Sequence, residues 1–431
     1  MKCFVSLIFL QLLASVAYGI HTFTIGRIPY IEDIGSKLQP LNLSRDPDKI
    51  PSPVILVPGL GGSRLEAKLD KPSRVSFLCS KKTDAFYDIW LNVENLAPFA
   101  INCLSDNLRL VYNNESRTTE SSPGVTVQVA GWGYSDAVEW LCRSRSSRCA
   151  YYVNLVDTLV ANGYIRGFSV QSAPYDFRLP YYEFNLFYTW LTKEIEGAFE
   201  LNSDTPVTLI VHSMGGPMVL QFLQGQPQEW KDKYIKRVIS LNGAWGGTVK
   251  SLKVYAMGDD LGSWIVSSSA LRALQITTPS LAWMMPNPLF WKPQTILAKT
   301  KTKVYTLENL QDFYEDIDFP LGWEMYQDVL PYVKNFTAPG VEIYCFYGTN
   351  VPTIEQLDYG EAYELTGTPE FIQGDGDGTI NRISLEACKY WASEQKQPVH
   401  VREYSGVGHM EILGDLKVLR DILEIQMRDL M

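Results

Sequence analysis

One stretch constrains the fold more than any other. The apolar, β-branched run V-T-L-I-V-H (207–212) stops at Ser213, passes Met214-Gly215-Gly216 and enters a helical pattern of Met218, Val219, Phe222 and Leu223. A strand that turns this sharply into a helix lifts the hydroxyl of the turn serine above the sheet, as in a nucleophile elbow, G-x-S-x-G. Gly215 lets the helix pack close to the strand. The helix begins at the serine, so its free N–H groups and dipole stabilise negative charge there. The first glycine of the pattern is replaced by Val211, giving x-H-S-x-G.

The rest of the chain alternates strand and helix. A buried strand is expected over 54–57, between Pro53 and Pro58, running into Pro58-Gly59-Leu60-Gly61-Gly62-Ser63. A helix follows over 152–160, a strand over 168–170 and a helix over 184–199, then the elbow strand and a strand over 238–241. The alternation returns with a strand over 341–348, a helix over 383–391, a strand over 399–404 and a closing amphipathic helix over 411–430. Such alternation predicts an α/β fold around one parallel sheet. Two insertions interrupt it. The first covers about 74–110; the second, about 248–339, is rich in Trp, Met and Pro (Trp264, Trp283, Met284, Met285, Trp291) and reads as a helical, irregular cap. Residues 20–50 read as a polar arm. The glycine-rich turn after the first strand suits backbone N–H donors; neither G-x-x-x-x-G-K-[ST] nor G-x-G-x-x-G is present, which excludes a nucleotide cradle.

Residues 1–19 read as a signal peptide: Lys2, an apolar stretch over 4–13 and a small-x-small site at Ala17-Tyr18-Gly19. No later run of about 18 uncharged apolar residues follows, so a secreted or lumenal protein without a membrane anchor is expected. Cys3 leaves with the leader and six cysteines remain. In an oxidising compartment these form up to three disulfides, in any of about fifteen connectivities; sequence neighbours suggest Cys79–Cys103, Cys142–Cys149 and Cys345–Cys388. Sequons at Asn42, Asn114 and Asn335 predict glycosylated surface loops. A net charge of −10 excludes a nucleic-acid binder, which needs a basic stripe.

A serine hydroxyl needs a base to take its proton. Of the four histidines, His21 lies in the arm, His212 adjoins the serine and must point elsewhere, and His400 lies inside a strand. His409, in the loop just past the last strand, remains. The acid belongs after the next-to-last strand, where Asp375 and Asp377 both stand; Asp377 is preferred because it directly precedes the turn into the next helix. A calcium loop over Asp375-Gly376-Asp377 is the rival, but Thr379 and Ile380 occupy the positions where an EF-hand needs a ligand and a glycine. Oxyanion donors are expected from the backbone N–H groups of Met214 and Leu60. Residues 79–103 hold Phe86, Tyr87, Ile89, Trp90, Leu91, Leu96 and Phe99, which read either as a stapled lid for lipid contact or as a small satellite core.

With these residues placed, the chain resembles the lecithin:cholesterol acyltransferase and lysosomal phospholipase A2/acyltransferase family, more closely the lysosomal branch. The resemblance rests on V-P-G-x-x-G-S-R-L-E-A (57–67), I-W-L-N (89–92), A-P-Y-D-F-R (173–178), H-S-M-G-G (212–216), A-W-G-G (244–247), Y-G-T-N-V-P-T (347–353), G-D-G-D-G-T-I (374–380) and H-M-E-I-L (409–413). It implies an α/β-hydrolase domain over 20–431, a membrane-binding lid stapled by Cys79–Cys103, and Cys345–Cys388 in the core. It also implies a Ser213–Asp377–His409 triad with Leu60 and Met214 as oxyanion donors. Trp90 would touch acyl chains or the bilayer, and Lys250 a lipid phosphate. The implied activity transfers a glycerophospholipid acyl group through an acyl-enzyme on Ser213 to water or to a lipid alcohol such as ceramide. It needs no metal or other cofactor and no obligate protein partner, and works at a membrane or lipoprotein surface in the lysosome lumen or outside the cell. The alternatives are a sterol O-acyltransferase and a catalytically silent lipid-binding protein. The chain departs from the family pattern at Cys142 and Cys149, which are extra, at Val211, and at Leu60, where the lysosomal branch carries an acidic residue.

Overall fold

The computed structural model describes residues 34, 38, 50–97, 100–261 and 267–428. The expected leader, His21, the Asn42 sequon, Phe99 and Trp264 lie outside the described residues. Six strands form one parallel sheet: β1 (Val54–Val57), β2 (Val170–Ser172), β3 (Val207–His212), β4 (Ile235–Leu241), β5 (Ile343–Thr349) and β6 (Val399–Ser405). Their order is β6-β5-β4-β3-β1-β2. Every residue of β1, β3 and β5 is buried, as expected of parallel strands covered on both faces. The helices of this α/β region include α1 (Val153–Ala161), α2 (Asn185–Leu201), α3 (Gly215–Gln224) and α4 (Leu416–Arg428). Helix α2 buries Phe187, Leu191, Ile195, Ala198 and Phe199, one stripe at helical spacing. This is the α/β-hydrolase architecture. Among the described residues no helix is long and apolar enough to cross a membrane.

The connection from β1 to β2 carries the first insertion. It contains a three-stranded sheet in the order Tyr87–Trp90, Leu65–Leu69, Val125–Val129 and a hairpin of Leu110–Asn113 with Thr118–Ser121. Cys79 is bonded to Cys103, Cys142 to Cys149 and Cys345 to Cys388. Inside the Cys79–Cys103 segment Ile89, Leu91 and Leu96 are buried. The outward-facing apolar side chains lie mostly before the first cysteine: Val75, Phe77 (81% exposed) and Leu78, joined by Phe86. The second insertion is helical (Val249–Met257, Ser268–Gln275, Pro279–Trp283, Leu310–Asp316, Leu321–Val333). It also holds two short strands, Ala298–Lys299 and Val304–Tyr305, which join Thr353–Asp358 and Glu370–Gly374 in a four-stranded sheet. The cap is thereby stitched to the segment that leads into Asp375 and Asp377.

Several element boundaries depart from the sequence expectation, each for a local reason. Strand β2 begins two residues late because Ser169 closes a turn on Ile165: its N–H donates to the Ile165 carbonyl (2.9 Å) and its hydroxyl accepts the Ile165 N–H (2.8 Å). Strand β4 begins three residues early because the buried Arg237 finds polar partners, including the Ile425 carbonyl at 3.3 Å. The helix expected over 383–391 breaks into Arg382–Leu385 and a 3-10 segment Ala387–Ser393, where Cys388 is tied to β5 and Trp391 donates to the Phe336 carbonyl (2.9 Å). The closing helix starts at Leu416 rather than at 411, because Asp415 accepts the N–H groups of Lys417 (2.9 Å) and Val418 (3.0 Å) and caps it there.

Candidate active site

Ser213 stands between β3 and α3 with φ 55°, the left-handed conformation of a strained elbow. Its carbonyl accepts the N–H groups of Gly216 (3.0 Å) and Ala244 (3.1 Å), which fixes the turn. A Cβ on Gly215 would lie 2.6 Å from the carbonyl oxygens of Val57 and Pro58, so only glycine lets α3 start this close to β1. Val211 causes no difficulty: it is still in β3, paired with Val57, and the unusual backbone begins only at Ser213.

The hydroxyl of Ser213 lies 2.9 Å from Nε2 of His409, and Nδ1 of His409 lies 2.7 Å from Oδ2 of Asp377. All three residues are buried. Oδ1 of Asp377 accepts the N–H groups of Thr379 (2.9 Å) and Ile380 (2.7 Å), and its carbonyl accepts the His409 N–H (2.7 Å). The carboxylate is held on both oxygens and faces the imidazole with one of them. Asp375, two residues away, is engaged elsewhere: burial raises its pKa, but hydrogen bonds from Arg382 (2.8 Å) and the Asn350 N–H (2.6 Å) more than offset this and leave it below the usual value. His400 is remote from this group, stacked on Tyr344 and 3.0 Å from Glu342. Among the described residues no three His, Cys, Asp or Glu side chains converge to hold a metal ion.

The glycine-rich loop after β1 passes beside Ser213. A Cβ on Gly59 would sit 2.6 Å from Cβ and 3.2 Å from Oγ of Ser213. The side chain of Leu60 points outward and is 43% exposed, whereas Met214 is fully buried. Neither the Leu60 nor the Met214 N–H donates to any acceptor among the described residues. Stabilisation of an oxyanion requires donors of this kind, free of other partners and directed at the reacting oxygen.

Three residues to which the sequence assigns no role in the site hold this arrangement. The carbonyl of His409 accepts from Asn242 Nδ2 (3.2 Å) and from His212 Nε2 (2.9 Å). Asn242 has φ 49° and also accepts the Gly348 N–H at 2.8 Å, tying β4 to β5. His212, expected to point away from the hydroxyl, bonds through both ring nitrogens to other partners. Its ring lies 4.8 Å from that of His409, and Nδ1 is 2.5 Å from the phenol of Tyr151. Burial first, then the neighbouring His409, hold the His212 pKa well below the ordinary value, so this imidazole is neutral. Tyr151 is wholly buried and its oxygen accepts the Gly59 N–H at 3.0 Å. These partners are far apart in sequence, and no local motif announces them.

Trp90 is 8% exposed; its Nε1–H donates to the Gly61 carbonyl (2.8 Å) and its ring lies 5.6 Å from that of Phe177. It lies under the glycine-rich loop, not on the outer face of the lid. Lys250 sits in the first turn of Val249–Met257, 3.6 Å from Asp259, which also pairs with Lys253 at 3.0 Å. Asn114, in a hairpin turn, and Asn335, after a helix, are both exposed.

The lecithin:cholesterol acyltransferase family matches residues 86–416. The lysosomal phospholipase A and acyltransferase of Homo sapiens is 42% identical over 367 residues, covering 85% of this chain and 88% of that protein. The phosphatidylcholine-sterol acyltransferase of Gallus gallus is 41% identical over 366 residues, covering 84% of this chain and 87% of that one. Among solved structures, a chain of the Tle4–Tli4 complex overlaps 87% of this chain and 98% of its own at 15% identity, with a TM-score of 0.46.

Proposed function

Because this chain belongs to the lecithin:cholesterol acyltransferase family, we propose that it is a serine phospholipase A with acyltransferase capacity, working through an acyl-enzyme on Ser213. The observation that carries this reading is the hydrogen-bonded series Ser213–His409–Asp377, at 2.9 and 2.7 Å. His409 takes the proton of Ser213 as Oγ attacks an acyl ester carbon of a glycerophospholipid. The negative charge that forms on the carbonyl oxygen meets the N–H groups of Leu60 and Met214, each worth about 3–4 kcal/mol of barrier. His409 then protonates the departing lysophospholipid oxygen. Water, or the hydroxyl of a lipid alcohol such as ceramide, attacks the acyl-enzyme with His409 again as base, releasing a fatty acid or an acylated alcohol. Asp377 orients and stabilises the imidazolium. None of these steps calls on a metal.

Val75, Phe77, Leu78 and Phe86 give the Cys79–Cys103 region an outward apolar face suited to a lipid surface. Trp90 contributes differently from a bilayer anchor: it supports the loop that carries Leu60. Lys250 is a candidate for a lipid phosphate, in competition with Asp259. Residence in the lysosome lumen or outside the cell, with glycans on Asn114 and Asn335, completes the reading.

The test uses phosphatidylcholine vesicles with short-chain ceramide or cholesterol, wild type against Ser213→Ala, at acidic and at neutral pH. Ser213-dependent release of fatty acid with acylceramide supports the phospholipase reading. Ser213-dependent cholesteryl ester in place of acylceramide makes the protein a sterol acyltransferase. Equal product from wild type and variant overturns both and leaves a lipid-binding role. Activity confined to neutral pH would trace to Leu60, an apolar residue beside Ser213.

A further inference from the structure

A buried hydrogen-bond chain runs beneath the serine and joins the two halves of the chemistry. Its direction is fixed by its ends. The His409 carbonyl can only accept, so His212 Nε2 carries the proton across 2.9 Å. A neutral His212 then offers a lone pair at Nδ1, and the Tyr151 phenol donates to it across 2.5 Å. The phenol oxygen is left free to accept, and the Gly59 N–H donates to it at 3.0 Å. Every donor meets an acceptor, and the order holds in no other tautomer.

We propose that Tyr151 and His212 are positioning residues that lock the oxyanion loop to the general base, so that Leu60 and His409 keep a fixed spacing around Ser213. This rests on the serine acyl-enzyme reading. Gly59, adjacent to Leu60, passes close to Oγ of Ser213, and the imidazole of His409 is hydrogen-bonded to it. Without the chain the two belong to separate loops, one after β1 and one after β6, on strands that are not neighbours. The local sequence is shaped to admit it. A Cβ on Gly62 would fall 2.8 Å from Cζ and 2.9 Å from the oxygen of Tyr151, so only glycine lets the phenol reach the loop. Tyr151 itself is seated by edge-on contacts with Tyr152 (4.8 Å) and His212 (5.5 Å). Neutrality of His212 matters for the same reason. A second cation 4.8 Å from the His409 ring would oppose the imidazolium that forms there.

The experiment measures hydrolysis of p-nitrophenyl butyrate, with active sites counted by a fluorophosphonate so that unfolded protein does not enter the rate. Tyr151→Phe keeps the ring and removes the link to both neighbours. His212→Gln keeps an amide donor near the His409 carbonyl but loses the Tyr151 acceptor; His212→Asn does the reverse. Each single variant is expected to lower kcat per active site about tenfold or more, the scale of a small misplacement of catalytic groups, with KM nearly unchanged. Tyr151→Phe/His212→Gln is expected to be no slower than either single variant, because one break already opens the chain. Unchanged kcat per site in Tyr151→Phe, or multiplying losses in the double variant, overturns the proposal while leaving the serine reading intact. Loss of fluorophosphonate labelling in wild-type protein would instead remove the serine reading on which it stands.

Discussion

The loop cluster around Ser213 and the segment closed by Cys79–Cys103 are built on opposite principles. Around Ser213 the triad side chains are buried, and Asp377 and His409 are each held by hydrogen bonds from more than one residue. The Cys79–Cys103 segment is held by one disulfide, by the pairing of Tyr87–Trp90 with Leu65–Leu69 and by Ile89, Leu91 and Leu96 packed inward, while Val75, Phe77 and Leu78, just before Cys79, face out. The first region holds its side chains by hydrogen bonds, and the second leaves large apolar side chains exposed. On the proposed function, turnover belongs to the first region and interfacial binding to the second.

The largest effect expected from that division is at the acid. Asp377→Asn should lower turnover on any ester by about 10⁴-fold, the scale of losing the carboxylate that orients a catalytic histidine. Asp375→Asn, two residues away and committed to Arg382, should cost less than tenfold in the same assay. Equal losses would erase the distinction between the two aspartates. Next comes the outer face. Phe77→Ser with Leu78→Ser should reduce hydrolysis of phosphatidylcholine vesicles at least about tenfold more than hydrolysis of soluble p-nitrophenyl butyrate, since two large apolar side chains each contribute roughly 1.5–3 kcal/mol when buried. Parallel losses on both substrates would show that the two regions are not separable. Removing the staple as Cys79→Ala/Cys103→Ala should lower stability in urea by about 3.5 kcal/mol on the loop-entropy model, with vesicle hydrolysis falling more than soluble-ester hydrolysis.

The smallest effect concerns pH. His212 is neutral in the fold because burial and His409 depress its pKa well below 6.5. The unfolded chain protonates it below that value, so the folded state binds fewer protons and loses stability as pH falls through 6.5, until the folded group itself protonates. His212→Gln removes this contribution, and its melting temperature should decline less than that of wild type between about pH 7 and about pH 5. A steeper decline in the variant would mean that His212 is charged in the fold.

What the sequence reveals about this site follows the range of the contacts. The elbow was legible because Val207 to Gly216 is one continuous stretch whose strand, turn and helix are written in local pattern. His409 emerged by elimination among four histidines, and Asp377 from its loop. Their mutual distances then required the sheet order, which local pattern does not encode. Tyr151 and Asn242 were invisible because the bonds that matter reach across 61 and 167 residues. His212 was legible only as a residue that could not be the base. The expectation that Trp90 touches acyl chains or the bilayer comes from the resemblance; its bond to the Gly61 carbonyl, 29 residues away, has no signal in the local pattern. The strands Thr353–Asp358 and Glu370–Gly374 were missed because their side chains are largely polar or exposed, which leaves little apolar alternation to read.

The central claim is a covalent acyl group on Ser213. The most direct measurement mixes wild-type protein with phosphatidylcholine vesicles of one defined acyl chain, quenches in acid during turnover, and maps the acyl mass on the peptides by mass spectrometry. The account predicts that mass on the peptide containing Ser213, and its absence in Ser213→Ala. Turnover that persists in Ser213→Ala, with no acyl adduct on that peptide in either protein, would contradict it.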